Sequence, residues 1–255
     1  MNDLGAEALT LLRLHGWTAA LIFLRVGAFT SFLPGFGEQS VPTRVKLGVA
    51  ISLTAIVMVA GPSLPAVPAP DMPVFLRFLA TETLIGVTLG VGLRLFVVGL
   101  QTAGSMIAQA TSLSQILGNA GVEPMPAIGH VLVIAALALA MTLGLHIHAV
   151  LYLLMSYEVM PPGQWPEAHD ITQWGIKLTA QSFQLAFSLA APFIIISLIY
   201  NLTLGVINRA MPQLMVAFVG APVITFGGLS LLLILSVQIL TTWSERLMAF
   251  LVAPF

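Results

Sequence analysis

The sequence predicts an all-α membrane protein made of bent helices and helical hairpins rather than a simple six-span bundle. Three observations carry that prediction. Hydrophobic residues fill 58% of the 255 positions and charged residues only 7%, with a mean hydropathy of +1.01, whereas a soluble domain carries about 25% charged residues. The apolar residues come in runs able to cross a hydrocarbon core of about 30 Å, which takes roughly 20 helical residues. Several of those runs are too short or too long for one crossing. No polar stretch is long enough to fold as a soluble unit, so residues 1–255 read as a single membrane domain.

The elements follow in order. The first apolar run, Leu9 to Leu33, contains Arg13 and Arg25 and stops at Pro34-Gly35, a strong helix terminator. The second, Val45 to Ala60, ends at Gly61-Pro62 and as a helix reaches only about 24 Å at about 1.5 Å per residue. Pro62, Pro65, Pro68, Pro70 and Pro73 then exclude a helix from the linker. From Val74 to about Leu117 there is no proline, and one helix of that length would reach about 65 Å. It is expected to bend back or to stand outside the membrane.

A fourth run, Ala127 to Met160, carries His130, His146, His148 and Glu158 and ends at Pro161-Pro162-Gly163. A polar connector, Gln164 to Gln173, follows. The fifth run, Ile171 to Asn208, includes Lys177 and Pro192; the sixth, Leu214 to Val252, includes Pro222 and Gly227-Gly228. Both exceed one span, so bends or breaks are expected at those residues. Basic residues are too sparse to fix orientation firmly. The acidic Pro161 to Gln173 loop, set against Arg209 in the break from Gly205 to Gln213, leans towards a cytoplasmic position for the latter.

The same composition excludes several functions. Nine Lys plus Arg, spread over the chain at a net charge of −1, offer no patch to neutralise nucleic-acid phosphates. The absence of Cys removes disulfides, thiolate metal sites and thiol catalysis together. His146 and His148 are two apart, whereas a zinc pair on one helix face needs a spacing of four. No glycine-rich phosphate loop and no recognisable Ser/His/Asp signature is present. The chain therefore reads as non-enzymatic, without metal or cofactor. Its N-terminus, Met1 to Glu7, is acidic where a secretory signal needs basic residues, and is expected to be retained.

Arg25, Glu82, Arg94 and Glu158 lie inside apolar runs, where an isolated charge costs several kcal/mol and finds a partner, a cavity or the interface. Structural pairing, an ion relay and subunit contact are the competing explanations. Glu82 and Arg94 are twelve residues apart and so stand about 120° from each other on a helix. Each must find its partner elsewhere. Small residues recur at four-residue spacing, at Gly86 and Gly90, Gly99 and Ala103, and Gly104 and Ala108, a pattern that allows close helix approach. Membrane helices are rich in Gly and Ala in any case, but clustering in one run favours packing against protein. The segment Ala110 to Pro126 is polar and glycine-containing between two apolar runs, which suits a surface loop unless protein or water surrounds it.

The run Asn201 to Leu214, with Asn208-Arg209-Ala210-Met211-Pro212-Gln213 at its end, followed by Val219-Gly220-Ala221-Pro222, resembles the signature of the FliR family of flagellar biosynthesis proteins. The resemblance extends to Arg25-Val26-Gly27-Ala28, Pro34-Gly35-Phe36-Gly37, Val41-Pro42, Lys46, Ala103-Gly104, Gln109 and Pro161-Pro162-Gly163. One departure is Leu145, which intervenes between Gly144 and His146, where the family commonly has Gly directly before His.

What the resemblance implies is a subunit of the flagellar type III secretion export gate in the bacterial inner membrane, at the flagellar basal body. It would assemble with FliP-like and FliQ-like subunits beside an FlhB-like protein, in contact with membrane lipid, around a channel for unfolded flagellar proteins. The family's pore plug falls here on Thr111, Ser112, Leu113, Ser114, Gln115, Ile116, Leu117, Gly118 and Asn119. Residues expected in helix packing or subunit contact are Arg25, Glu82, Gly86, Gly90, Arg94, Arg209, Pro212 and Gln213. The related SctT subunits of virulence secretion systems are the nearest rival; a secondary transporter with a site at broken helices is a more distant one.

Overall fold

The computed structural model describes residues 2–61, 72–111, 127–211 and 216–255. Among them the regular structure is helical throughout: α1 (Asn2–Phe32), α2 (Thr43–Ala60), α3 (Met72–Ala110), α4 (Ala127–Thr142), α5 (Leu145–Val159), α6 (Ala168–Ala210) and α7 (Val216–Val252). Four of these, α2, α3, α6 and the part of α7 from Pro222, are long and apolar enough to cross a membrane, and α4 with α5 forms a further, bent candidate. With this composition the chain is an integral membrane protein.

Local sequence explains the helix ends. Gly61 stops α2 in extended backbone, its N–H returning to the Val57 carbonyl at 2.7 Å. Pro73 falls in the first turn of α3, where its missing N–H costs nothing. The proline-rich linker therefore yields to helix two residues earlier than expected, at Met72. Between α4 and α5 the helix is interrupted, and Gly144 takes φ +83 as the N-cap of α5. Only glycine adopts that backbone without a Cβ penalty.

Of the two alternatives for the third run, doubling back is excluded over its described residues: α3 is one uninterrupted helix of 39 residues, about 58 Å long at about 1.5 Å per residue. Pro192 and Pro222 lie inside α6 and α7 without ending them, and a break that was not expected falls at Gly144.

The described residues divide into two compact units. The first holds Met1–Arg94, Met141–Lys177 and Met248–Phe255; the second holds Leu95–Ala140 and Leu178–Leu247. In the first, α2 lies against α1 and α5. Buried Ile22, Val26, Phe29 and Leu33 repeat at helical spacing along α1, and Phe78, Ile85, Leu89 and Leu93 do so along α3. Tyr152 of α5 packs edge-on to Phe29 and stacks on Phe255.

In the second unit, α3 contributes Val97, Leu100, Ala103 and Ile107 to a core shared with Ala136 and Ala140, Leu185 and Leu189, and Trp243 and Leu247. The indole of the fully buried Trp243 donates to the Phe96 carbonyl at 2.9 Å. Ser182 Oγ donates to the Leu95 carbonyl at 2.7 Å. Gly99 makes the second bond possible, because a Cβ there would stand 2.7 Å from the Ser182 hydroxyl.

Burial is uneven among the apolar helices. In the most apolar stretch of α3, 56% of residues are buried within the chain, against 11% in α6 and 6% in α7. Phe183 and Phe187 on α6 and Phe226, Leu233 and Ile234 on α7 are all exposed. In water such surface would drive association; here it is left for lipid or other protein.

Candidate functional site

The α3 stripe that buries Phe78, Ile85 and Leu89 also carries Glu82, at a position where an apolar residue would ordinarily sit. Its partner is Arg25, which follows Ile22 and precedes Phe29 on the buried face of α1. Arg25 Nε meets Glu82 Oε2 at 2.8 Å. Arg25 Nη1 donates to the carbonyl and the hydroxyl of Ser156, each at 3.2 Å, and Nη2 donates to the Met160 carbonyl at 2.9 Å. The Tyr157 ring lies 3.9 Å from the guanidinium carbon. On the other side, Glu82 Oε1 accepts the N–H of Gly163 at 2.9 Å.

This arrangement satisfies both charges. Ser156 and Met160 present carbonyls at the C-terminal end of α5, where its negative dipole end lies; the Ser156 carbonyl also accepts the Met160 N–H at 2.9 Å. Arg25 therefore caps α5 while neutralising Glu82. Gly163 takes φ +70 with the Phe78 ring against it, so no side chain fits there. The pair joins α1, α3, the end of α5 and the connector into α6, with each charge compensated by the other and by hydrogen bonds. Structural pairing is what the geometry supports.

Arg94 finds Glu38, in the connection between α1 and α2. Its Nη1 pairs with Glu38 Oε1, and Nη2 donates to Oε2 at 3.1 Å, a two-pronged geometry that fixes orientation as well as charge. Lys46 Nζ donates to the Gly37 carbonyl at 3.0 Å, securing the same connection from α2. Glu82 and Arg94 thus find separate partners, as their spacing on α3 requires.

Gly86 and Gly90 let α3 approach α1. A Cβ on Gly86 would collide with the Arg25 carbonyl oxygen, and one on Gly90 would stand 2.8 Å from Phe32 Cβ. In the second unit Gly104 meets Gly129 of α4 in the same manner, backbone against backbone. The small-residue face of α3 is used within the chain.

Of the residues expected in the plug, Thr111 is described and Ser112 to Asn119 lie outside the described residues. Thr111 is 2% exposed. Its N–H returns to Ile107 at 3.0 Å, and its carbonyl accepts from the Thr225 hydroxyl of α7 at 3.3 Å. Gly228, one turn further along α7, lies directly against the Thr111 side chain, where a Cβ would not fit. Both helices meeting there belong to the second unit.

Two of the charged candidates are on the surface. Arg209 is exposed in the last turn of α6, where a cation suits the helix dipole. Glu158, expected inside an apolar run, is also exposed. It shares the outward face of α5 with exposed Ile147 and Leu151, so the apolar pattern there marks an outer surface and not a core. Pro212 and Gln213 lie outside the described residues.

Sequence reasoning did not find Glu38, Ser156 or Gly163. Glu38 sits in a polar connection, and nothing in its neighbours distinguishes it from any solvated acid. Among the described residues no three His, Asp or Glu side chains converge as metal ligands would.

Comparison with known proteins gives matches over nearly the whole chain. The family described as bacterial export proteins, family 1, matches residues 17–250. The flagellar biosynthetic protein FliR of Caulobacter vibrioides is 34% identical over 233 residues, covering 90% of this chain and 92% of that protein. FliR of Escherichia coli is 33% identical over 227 residues, covering 88% and 84% respectively. FliR of Aquifex aeolicus is 28% identical over 225 residues, covering 88% and 86%.

Proposed function

The chain belongs to the bacterial export proteins of family 1, as a member of the FliR flagellar group, and from that membership we propose that it is a subunit of a gated channel for unfolded flagellar proteins. As a family member it is a membrane component of the flagellar export apparatus. The finer reading is that it assembles with FliP-like and FliQ-like subunits beside an FlhB-like protein in the inner membrane, and that Thr111 to Asn119 plugs the closed pore. Its role is mechanical.

The observation that carries this reading is the match over residues 17–250 in a chain whose last two long helices bury so little of their apolar surface internally. Helices of that kind suit an assembly in which sibling subunits cover part of the face that lipid does not. The anchoring of Thr111 by α7 supports a plug whose first residue is fixed while the segment beyond it blocks the channel. A constriction of apolar and small polar side chains stops ions when closed and must move aside for a polypeptide.

Affinity purification of the tagged chain in mild detergent tests the assembly. FliP-like and FliQ-like proteins should be recovered with it; recovery of the chain alone from motile cells would contradict the proposal. The relatives compared are flagellar, which favours flagellar over virulence-type export. Deletion should abolish motility and leave any effector secretion intact.

A further inference from the structure

Beside the Arg25–Glu82 pair, in the same unit, the connector from α5 to α6 walls a cavity of about 400 Å³, within the size range of small-ligand pockets. Trp165, Trp174, Phe255 and Pro161 form its apolar wall, and Glu167 and Asp170 contribute two carboxylates. Trp165 is 60% exposed, a large aromatic surface that the chain leaves mostly uncovered, and Phe255, stacked on Tyr152, is still 50% exposed. Trp174 is held by the bond from its indole N–H to the Pro254 carbonyl at 2.8 Å and by its ring contact with Phe250.

The cavity has no cation of its own. No Lys or Arg lines it, and neither carboxylate makes an ion pair among the described residues. Arg25 and Arg94 are paired with Glu82 and Glu38, and Lys46 is bonded to Gly37. Asp170 in the first turn of α6 suits its helix dipole, but that does not account for Glu167 or for the exposed Trp165 and Phe255 rings. Aromatic faces combined with carboxylates attract an organic cation on an aliphatic stem.

We propose that this cavity receives a lysine or arginine side chain from a partner polypeptide, its stem against the Trp165, Trp174 and Phe255 wall and its cation facing Glu167 and Asp170. The walls are pre-formed, because Arg25 and Glu82 fix Met160 and Gly163 at the start of the connector, so little ordering is needed on binding. The proposal does not depend on the channel reading, and the chain alone tests it.

The purified full chain, in phosphatidylcholine nanodiscs, is titrated with N-acetyl-arginine amide and with the uncharged N-acetyl-citrulline amide while tryptophan fluorescence is read. Saturable quenching by the arginine probe only is expected. The double variant Glu167→Gln/Asp170→Asn should bind about tenfold more weakly while staying folded, its unfolding temperature lowered only slightly by the loss of the helix-dipole acid. An equal response to both probes, or unchanged affinity in the double variant, would overturn the proposal. So would loss of arginine binding in phosphatidylethanolamine nanodiscs, which would assign the site to an amine headgroup of the lipid.

Discussion

Arg25 and Glu82 stand 57 positions apart and meet at 2.8 Å, with side chains 0% and 1% exposed. Burying two charges is costly, and what offsets that cost here is complete pairing: each charge has the other, and each has backbone partners besides. Removing one partner therefore does more harm than the pair's own net contribution suggests.

Arg25→Met or Glu82→Gln, each alone, should destabilise the chain by roughly 3–5 kcal/mol, read as a lower unfolding temperature in detergent. The double variant Arg25→Met/Glu82→Leu should recover part of that loss. Recovery stays partial because the Met160 carbonyl loses the Arg25 donor in either case. A double variant no better than the worse single one would mean that capping of α5, and not charge compensation, is the main role of Arg25.

Gly86→Ala places a methyl group against the Arg25 carbonyl, where neither backbone can yield easily. A loss of about 1–3 kcal/mol is expected. Gly175 and Gly205 have open space around an added Cβ, so alanine there should be neutral or stabilise α6 by up to about 1 kcal/mol. Thermal unfolding of the three variants side by side checks the contrast. Equal losses at all three would show that Gly86 is not at a close helix contact.

Gly144→Ala forces a side chain into left-handed backbone at the break before α5. The cost should be about 1–2 kcal/mol, although nothing but the Ile147 side chain, 3.7 Å away, would touch the new methyl group. Replacement by Asn should cost less than by Ala, since Asn tolerates this conformation better. A thermal ranking of Gly above Asn above Ala is the expected result.

The helix ends were legible because they are written in short-range chemistry. Pro42, Gly61-Pro62 and Pro161-Pro162-Gly163 bound elements whose observed limits lie within a few residues of the apolar runs. The break at Gly144 was not legible, since its φ is set by tertiary packing and a glycine in an apolar run looks the same whether or not the chain turns there. The partners of Glu82 and Arg94 were legible only as a requirement: the helical angle between them excluded their pairing with each other, but Arg25 and Glu38 are chosen by the fold. Glu158 shows the opposite failure. An outward apolar face in a membrane protein carries the same residues as a core, so hydrophobicity did not distinguish burial from exposure to lipid or to another subunit.

The central claim is that this chain closes a channel with the segment that Thr111 begins. Its most direct test is the ion conductance of the purified export complex in planar bilayers, with the native chain and with Thr111 to Asn119 deleted, at matched subunit recovery. The account predicts a sealed native complex and a persistent leak in the deleted one. Equal, closed-state conductance from a fully assembled deleted complex would contradict it.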